Sequence, residues 1–466
     1  MRDTTLPPAD TRSGILHRPY LWVTIGTCAL VFLAAFESLA VTTIMPVVSR
    51  ELRGADLYAL AFAGPLATGV IGMVAAGNWS DRRGPTVPLY SSVVLFVAGL
   101  LIAGTAVSMP LLVAGRLVQG LGGGALTVAL YVLVARIYPG VLHPKIFAAF
   151  SAAWVIPSLV GPFAAGIVAQ AFSWHWVFLG VVGLVIPALV MIVPVLRNLA
   201  PVQGQGSAGD KPPTPWAPRR IAWASLAALA VLGLNLSREA RLPAFPAAPA
   251  LLAVAAVVIA LVAVRPLVPR GTLAARRGLP SVILVRGLAS AGFFGAEVYL
   301  PYLLIEQYAF QPTFAGLTLT GGALAWAGAA AVQGRLGPRL SHRGAVRIGS
   351  VMVLGAVLLA LATAALHWPP AVVIAGWILA GGGMGLLYPR LSVMTLALST
   401  KENEGFNSSA MSISDSLGGA LALATTGIVF TAFTTTAASF AGVFLLTAVL
   451  AAAAVAVAPR VTTKTP

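Results

Sequence analysis

Long apolar runs separated by short polar turns repeat along this chain from end to end. About 20 apolar residues, rising ~1.5 Å each, cross a hydrocarbon core of ~30 Å. The runs read as helices at about 20–46, 58–77, 88–107, 111–137, 145–170 and 175–196. A second block of six follows at about 281–305, 313–333, 344–366, 371–398, 407–431 and 438–458. Between the blocks lie two shorter runs, about 221–237 and 248–264. A linker rich in Gly, Pro and Gln (197–220) precedes them, and a basic one (265–280, with Arg265, Arg270, Arg276 and Arg277) follows. Polar segments at 1–19 and 459–466 close the two ends. The runs are too long and too continuously apolar for barrel strands. They predict an all-α polytopic membrane protein with two pseudo-symmetric six-helix bundles and two extra central helices. That makes fourteen crossings, or twelve if the middle pair lies on the surface.

The blocks share punctuation. After the second run of the first block the chain reads Gly-Asn-Trp-Ser-Asp-Arg-Arg-Gly from Gly77 to Gly84, a charged turn bounded by glycines. After the second run of the second block, Gly337 to Gly344 reads Gly-Pro-Arg-Leu-Ser-His-Arg-Gly, and Arg343-Gly344 matches Arg83-Gly84 in that register. An internal repeat of membrane helices points to transport by alternating access. The two turns supply candidate gating residues: Gly77, Asp81, Arg82, Arg83 and Gly84 in the first, Arg343, Gly344 and Arg347 in the second.

Composition narrows the class. Of 466 residues, 58% are hydrophobic and 9% charged, so the apolar surface exceeds what a water-soluble globule could bury. The net charge of +16 would suggest nucleic acid in a soluble protein. Here the basic residues fall in loops on alternate sides of the runs and act as topology signals. They place both termini in the cytoplasm and the chain in the plasma membrane. Cys28 is the only cysteine, inside the first run, and the five histidines are scattered singly, so neither a disulfide nor a metal cluster is expected. No phosphate-binding Gly-Lys-Ser/Thr loop occurs. The expectation at this level is a monomeric non-enzyme without cofactor, lying in membrane lipid, with no nucleic-acid partner.

An ionisable side chain within a membrane helix costs a few kcal/mol or more, so each one asks for a reason. The candidates are Glu37, Arg116, Arg286, Glu297, Arg390 and Asp415. Glu37 and Glu297 each lie about fifteen residues into the first helix of a block, at pseudo-symmetric depth. Arg116 is within reach of Glu37. Removing water favours a protonated carboxyl and a nearby guanidinium favours an ionised one, so a cavity that opens and closes could load and release a proton. A static pair holding two helices together is the alternative. Asp415, between Ser414 and Ser416, is either a further proton carrier or a polar tie, while Arg286 and Arg390 near helix ends suggest snorkelling. Gln119, Trp154 and Tyr299 are candidates to line a substrate cavity. Gly115, Gly120 and Gly122 to Gly124 are echoed by Gly381 to Gly383 and Gly385, small residues that let helices approach closely. Pro157, Gly161, Pro162 and Gly166 predict a bent fifth helix.

Together these residues resemble the major facilitator superfamily over nearly the whole chain, and within it the fourteen-helix drug:proton antiporters. Gly77 to Gly84 is similar to the loop between helices 2 and 3, with Pro85 and Thr86 where basic residues are usual. Gly115-Arg116 through Gln119-Gly120 resembles the helix 4 motif, whose arginine the family implicates in proton coupling. Gly161-Pro162 with Gly166 resembles the antiporter motif of helix 5, with Pro157 and Ala165 where glycines are usual. Glu37 with Thr42 and Pro46 is similar to the helix 1 motif, with Glu for the usual Asp. The resemblance implies export of lipophilic, including cationic, molecules against inward proton movement. A lipid transporter or flippase of the same fold, and a non-transporting receptor or scaffold, are the alternatives.

Overall fold

The computed structural model describes residues 14–18, 20–54, 57–198, 217–236, 248–310, 312–336 and 339–462. Most of the linker expected at 197–220, the turn between the two middle runs, Gly337 and Pro338 lie outside the described residues, as do the side chains of Thr42, Pro46 and Pro162.

In the first half the helices are α1 (Leu21–Glu51), α2 (Tyr58–Arg83), α3 (Thr86–Gly104), α4 (Met109–Ile137), α5 (His143–Ala152), α6 (Val155–Ala171) and α7 (His175–Asn198). The middle pair is α8 (Pro218–Leu236) and α9 (Ala248–Val264). The second half holds α10 (Leu279–Glu297), α11 (Tyr299–Tyr308), α12 (Pro312–Leu336), α13 (His342–Leu366), α14 (Pro370–Ala397), α15 (Glu404–Thr431) and α16 (Thr436–Val457). The described residues form an all-helical bundle in which 11 segments are long and apolar enough to span a membrane. The middle pair packs on the flank where the halves meet, with Ala224 and Val231 against Val74 of α2 and Met411 of α15 in one apolar cluster.

Two of the expected helices are broken, and proline explains both breaks. The run 145–170 divides at Ala153–Trp154, because Pro157 has no N–H for the Ala153 carbonyl four residues back. The run 281–305 divides at Val298, because Pro301 likewise offers nothing to the carbonyl of Glu297. Glu297 is therefore the last residue of α10, at a discontinuity in the backbone.

The charged turn at Gly77 to Gly84 is mostly helix. α2 runs through Arg83, and the reversal needs only Gly84, whose φ of 78° suits a residue without Cβ. In the second half Arg343 and Gly344 open α13, beside its cap Ser341, whose hydroxyl accepts from Gly344 N at 3.1 Å. Arg83-Gly84 ends one helix while Arg343-Gly344 begins the next, so the expected register is wrong.

Close helix contacts show the true correspondence. A Cβ on Gly77 would strike the Gly405 carbonyl and Ser409 at the start of α15; the residue facing α5 in the same way is Gly334, next to Ala148 and Pro144. Gly334, not Gly337, is the partner of Gly77. Four glycines of α4 have counterparts in α14 at the same spacing, Gly115, Gly120, Gly122 and Gly124 matching Gly376, Gly381, Gly383 and Gly385. Gly120 and Gly124 meet Pro65 and Gly69 of α2, as Gly381 and Gly385 meet Gly322 and Trp326 of α12. Gly122 meets Phe96 of α3, as Gly383 meets Gly349 of α13. Lipid tails are as apolar as leucine, so backbone contact at such glycines, rather than water exclusion, holds these helices together.

Candidate functional site

In the first half one guanidinium ties three helices. Arg116 of α4 donates through one terminal nitrogen to the carboxylate of Glu37 on α1 and to Oε1 of Gln119, and through Nε to the Ala61 carbonyl of α2 at 3.2 Å. Glu37, Arg116 and Gln119 are 3%, 6% and 4% exposed, so water does not screen the pair. Gln119 is part of this cluster rather than an open cavity wall.

The second half has two ionic features. Asp415 of α15 accepts from Arg286 of α10 at 3.1 Å and from the Tyr388 hydroxyl of α14 at 2.7 Å. The guanidinium carbon of Arg286 lies 3.5 Å from the centre of the Tyr388 ring, and Ser290 donates to the Asp415 carbonyl at 2.8 Å. Burial and pairing of Arg286 overturn the snorkelling expected for it. Arg390 is 2% exposed, so it does not snorkel either. Glu297 stands apart from Asp415, half-buried at the break between α10 and α11, with the Trp377 indole as its polar neighbour. Among the described residues it makes no ion pair.

At the arginine-rich end of the bundle Asp81 crosses between the halves. Its carboxylate accepts from the backbone N–H groups of Gly405 at 2.6 Å and Phe406 at 2.9 Å, in the first turn of α15. Free N–H groups and the helix dipole make that terminus an anion site. Beside it Arg136 Nε lies 3.0 Å from Glu404 Oε2, and Arg136 donates to the Lys401 carbonyl at 2.8 Å. The halves are thus latched at this end. Arg82 is half-buried and Arg83 exposed, while Arg343 and Arg347 are exposed and form no ion pair among the described residues.

The remaining candidates scatter. Trp154 is 48% exposed at the α5–α6 break, and half-buried Tyr299 meets Phe430 at a tilt, 5.3 Å between ring centres. Pro157 is buried; a Cβ on Gly161 would meet Phe36 and Leu39 of α1 at ordinary contact distance, and one on Gly166 would meet no neighbouring element within 4 Å. Sequence reasoning missed Gly405 and Phe406 as partners of Asp81, Arg136 as the partner of Glu404, and Tyr388 as a partner of Arg286 and Asp415. Acids or polar rings were visible there, but most of these partners lie far apart in the chain.

Two pseudo-symmetric helical halves that carry buried ionic groups and are latched together at one end have the architecture of a membrane transporter. Residues 27–423 match the Major Facilitator Superfamily, and the chain belongs to it. It is 33% identical over 163 residues to an uncharacterized transporter of Schizosaccharomyces pombe, which covers 35% of this chain and 27% of that protein. The chain thus matches about a quarter of the length of such relatives. It is 23% identical over 434 residues to the multidrug transporter protein MdtP of Bacillus subtilis, covering 87% of this chain and 74% of MdtP. Among solved structures, a bacterial homologue of the iron transporter ferroportin in an outward-facing state superposes with a TM-score of 0.67 at 14% identity, over 93% of this chain and 98% of that one. The human organic anion transporter MFSD10 superposes at 0.64 with 17% identity, over 93% and 100%.

Proposed function

We propose that this major facilitator protein is a proton-coupled antiporter that exports lipophilic small molecules, including cations, from the cytoplasm. The observation that carries the reading is the buried Glu37–Arg116–Gln119 cluster. A carboxylate held by one guanidinium in a dry site exchanges that partner for a proton when a helix shift or incoming water separates the two. Glu37 is the proton carrier and Arg116 sets its affinity. Asp415, held by Arg286 and Tyr388, keeps α10, α14 and α15 together. The Asp81 latch, on the cytoplasmic side, releases when the protein turns inward, and both termini lie on that side of the plasma membrane with α8 and α9 adding two crossings. The homologues named multidrug transporters support the substrate class.

The test is proton flux in proteoliposomes holding a pH-sensitive dye. Adding a lipophilic substrate to one side of wild-type vesicles evokes proton counterflow, and Glu37→Gln removes it. Counterflow that survives Glu37→Gln, or its absence from wild type with every substrate tried, sinks the reading.

A further inference from the structure

The two halves place different side chains at one equivalent position. In α4 the sequence Gly115-Arg116 precedes Gly120, Gly122 and Gly124; in α14 Gly376-Trp377 precedes Gly381, Gly383 and Gly385 at identical spacing. These glycines touch equivalent neighbours, Gly115 on α3 and Gly376 on α13 among them, so Trp377 occupies the place of Arg116. Glu37 faces a guanidinium, whereas Glu297, at similar depth in its own half, faces an indole.

The surroundings of Glu297 are aromatic. Phe293 and Phe294, one turn before it on α10, have ring centres 5.2 Å apart. Phe293 stacks on Trp377 at 4.7 Å and meets Trp326 edge-on at 5.5 Å; Phe294 lies 6.5 Å from Trp326. Trp377 and Phe293 are buried, while Phe294, Trp326 and Glu297 are half-buried. A half-buried carboxylate without a counter-ion among the described residues, beside rings whose faces carry negative potential, is chemistry that selects a soft, weakly hydrated cation.

We propose that Glu297, Phe294 and Trp326 bind the charged group of a lipophilic organic cation. The assignment rests on the transport reading above, but divides between the halves two tasks that the paired glutamates would otherwise share. Glu297 supplies the counter-charge and the rings supply contact area.

The test is equilibrium binding to the purified full chain, which needs no proton coupling. The probes are tetraphenylphosphonium and its neutral relative triphenylphosphine oxide. Glu297→Gln keeps the shape of the side chain and removes its charge, and is expected to weaken tetraphenylphosphonium binding by ~tenfold or more while changing the neutral probe less than ~twofold. Phe294→Ala is expected to cost the cation ~threefold or more, and Glu37→Gln less than that. Should Glu297→Gln fail to fold, Glu297→Asp and Phe294→Ala decide the matter by the same selective loss. Wild type that does not prefer the cation, a Glu297→Gln protein that binds it normally, or equal loss of both probes overturns the proposal. Proton flux that persists in Glu37→Gln while these binding results hold defeats the coupling reading and leaves this one standing.

Discussion

Arg116 and Trp377 stand at the same place in the two halves, each directly after a glycine that presses its helix onto a neighbour. One turns a facing glutamate into a buried ion pair; the other leaves its glutamate beside an aromatic wall. A duplicated scaffold has therefore been given two unlike ionic sites, and the first prediction concerns the pair.

Removing one partner of a buried pair strands the other charge, at a cost of ~3–5 kcal/mol, whereas removing both costs much less. Arg116→Gln is expected to lower thermal stability in detergent more than the double variant with Glu37→Gln does. Equal losses in single and double variants would mean that the pair contributes nothing through its charges.

Asp81 joins α2 to the N-terminus of α15 through two charge-assisted hydrogen bonds, each worth ~1.5–3 kcal/mol. Asp81→Asn is expected to loosen the arginine-rich end. With Cys28 replaced by serine, alkylation of a Ser409→Cys reporter, which the Gly77 contact covers, should speed up several-fold. Arg136→Gln should do less, because Arg136 reaches α15 through a single carboxylate, that of Glu404, and leaves both Asp81 hydrogen bonds in place. An unchanged alkylation rate in Asp81→Asn would show that the latch does not hold the halves.

Glycine substitutions should divide sharply. A Cβ on Gly381 would enter the backbone of Gly322 and one on Gly124 that of Gly69, so alanine at either is expected to abolish folded, monodisperse protein. Gly123→Ala, whose nearest neighbour is a Phe96 ring atom at 3.7 Å, should behave as wild type, as should Gly166→Ala in open space. Size-exclusion profiles and melting curves of the four variants check this.

Pro301→Ala restores an N–H for the Glu297 carbonyl and should heal the α10–α11 break. The variant is expected to be at least as heat-stable as wild type, since proline inside a helix costs ~3 kcal/mol, yet to transport poorly because the Glu297 carboxylate turns with its helix. Normal transport would show that the break has no bearing on that site.

Much of the fold was legible because a bilayer imposes length. The runs, their grouping into two blocks and the flanking pair all follow from hydrophobic spacing and appear in α1 to α16, two of the runs divided at a proline and the others shifted at their ends. Glu37 and Arg116 were legible as partners because few charges occur inside apolar runs. The Gly77 repeat was legible only in part. Matching letters joined Arg83-Gly84 to Arg343-Gly344, whereas contact with the neighbouring helix joins Gly77 to Gly334. Register in a helical repeat is set by which backbone a glycine touches, and that neighbour lies elsewhere in the chain.

By itself, the sequence determined that this chain lies in a membrane as two blocks of helices, because no other solvent accommodates so much unbroken apolar surface and no other backbone form satisfies its own hydrogen bonds there. It also determined which few charges needed an explanation. Tertiary structure decided their partners: Asp81 with the N-terminus of α15, Asp415 with Arg286 and Tyr388, Glu37 with Arg116, and Glu297 with an indole in the arginine's place. Coulomb and hydrogen-bond energies depend on separations of a few ångströms, and only packing brings residues so distant in the chain that close.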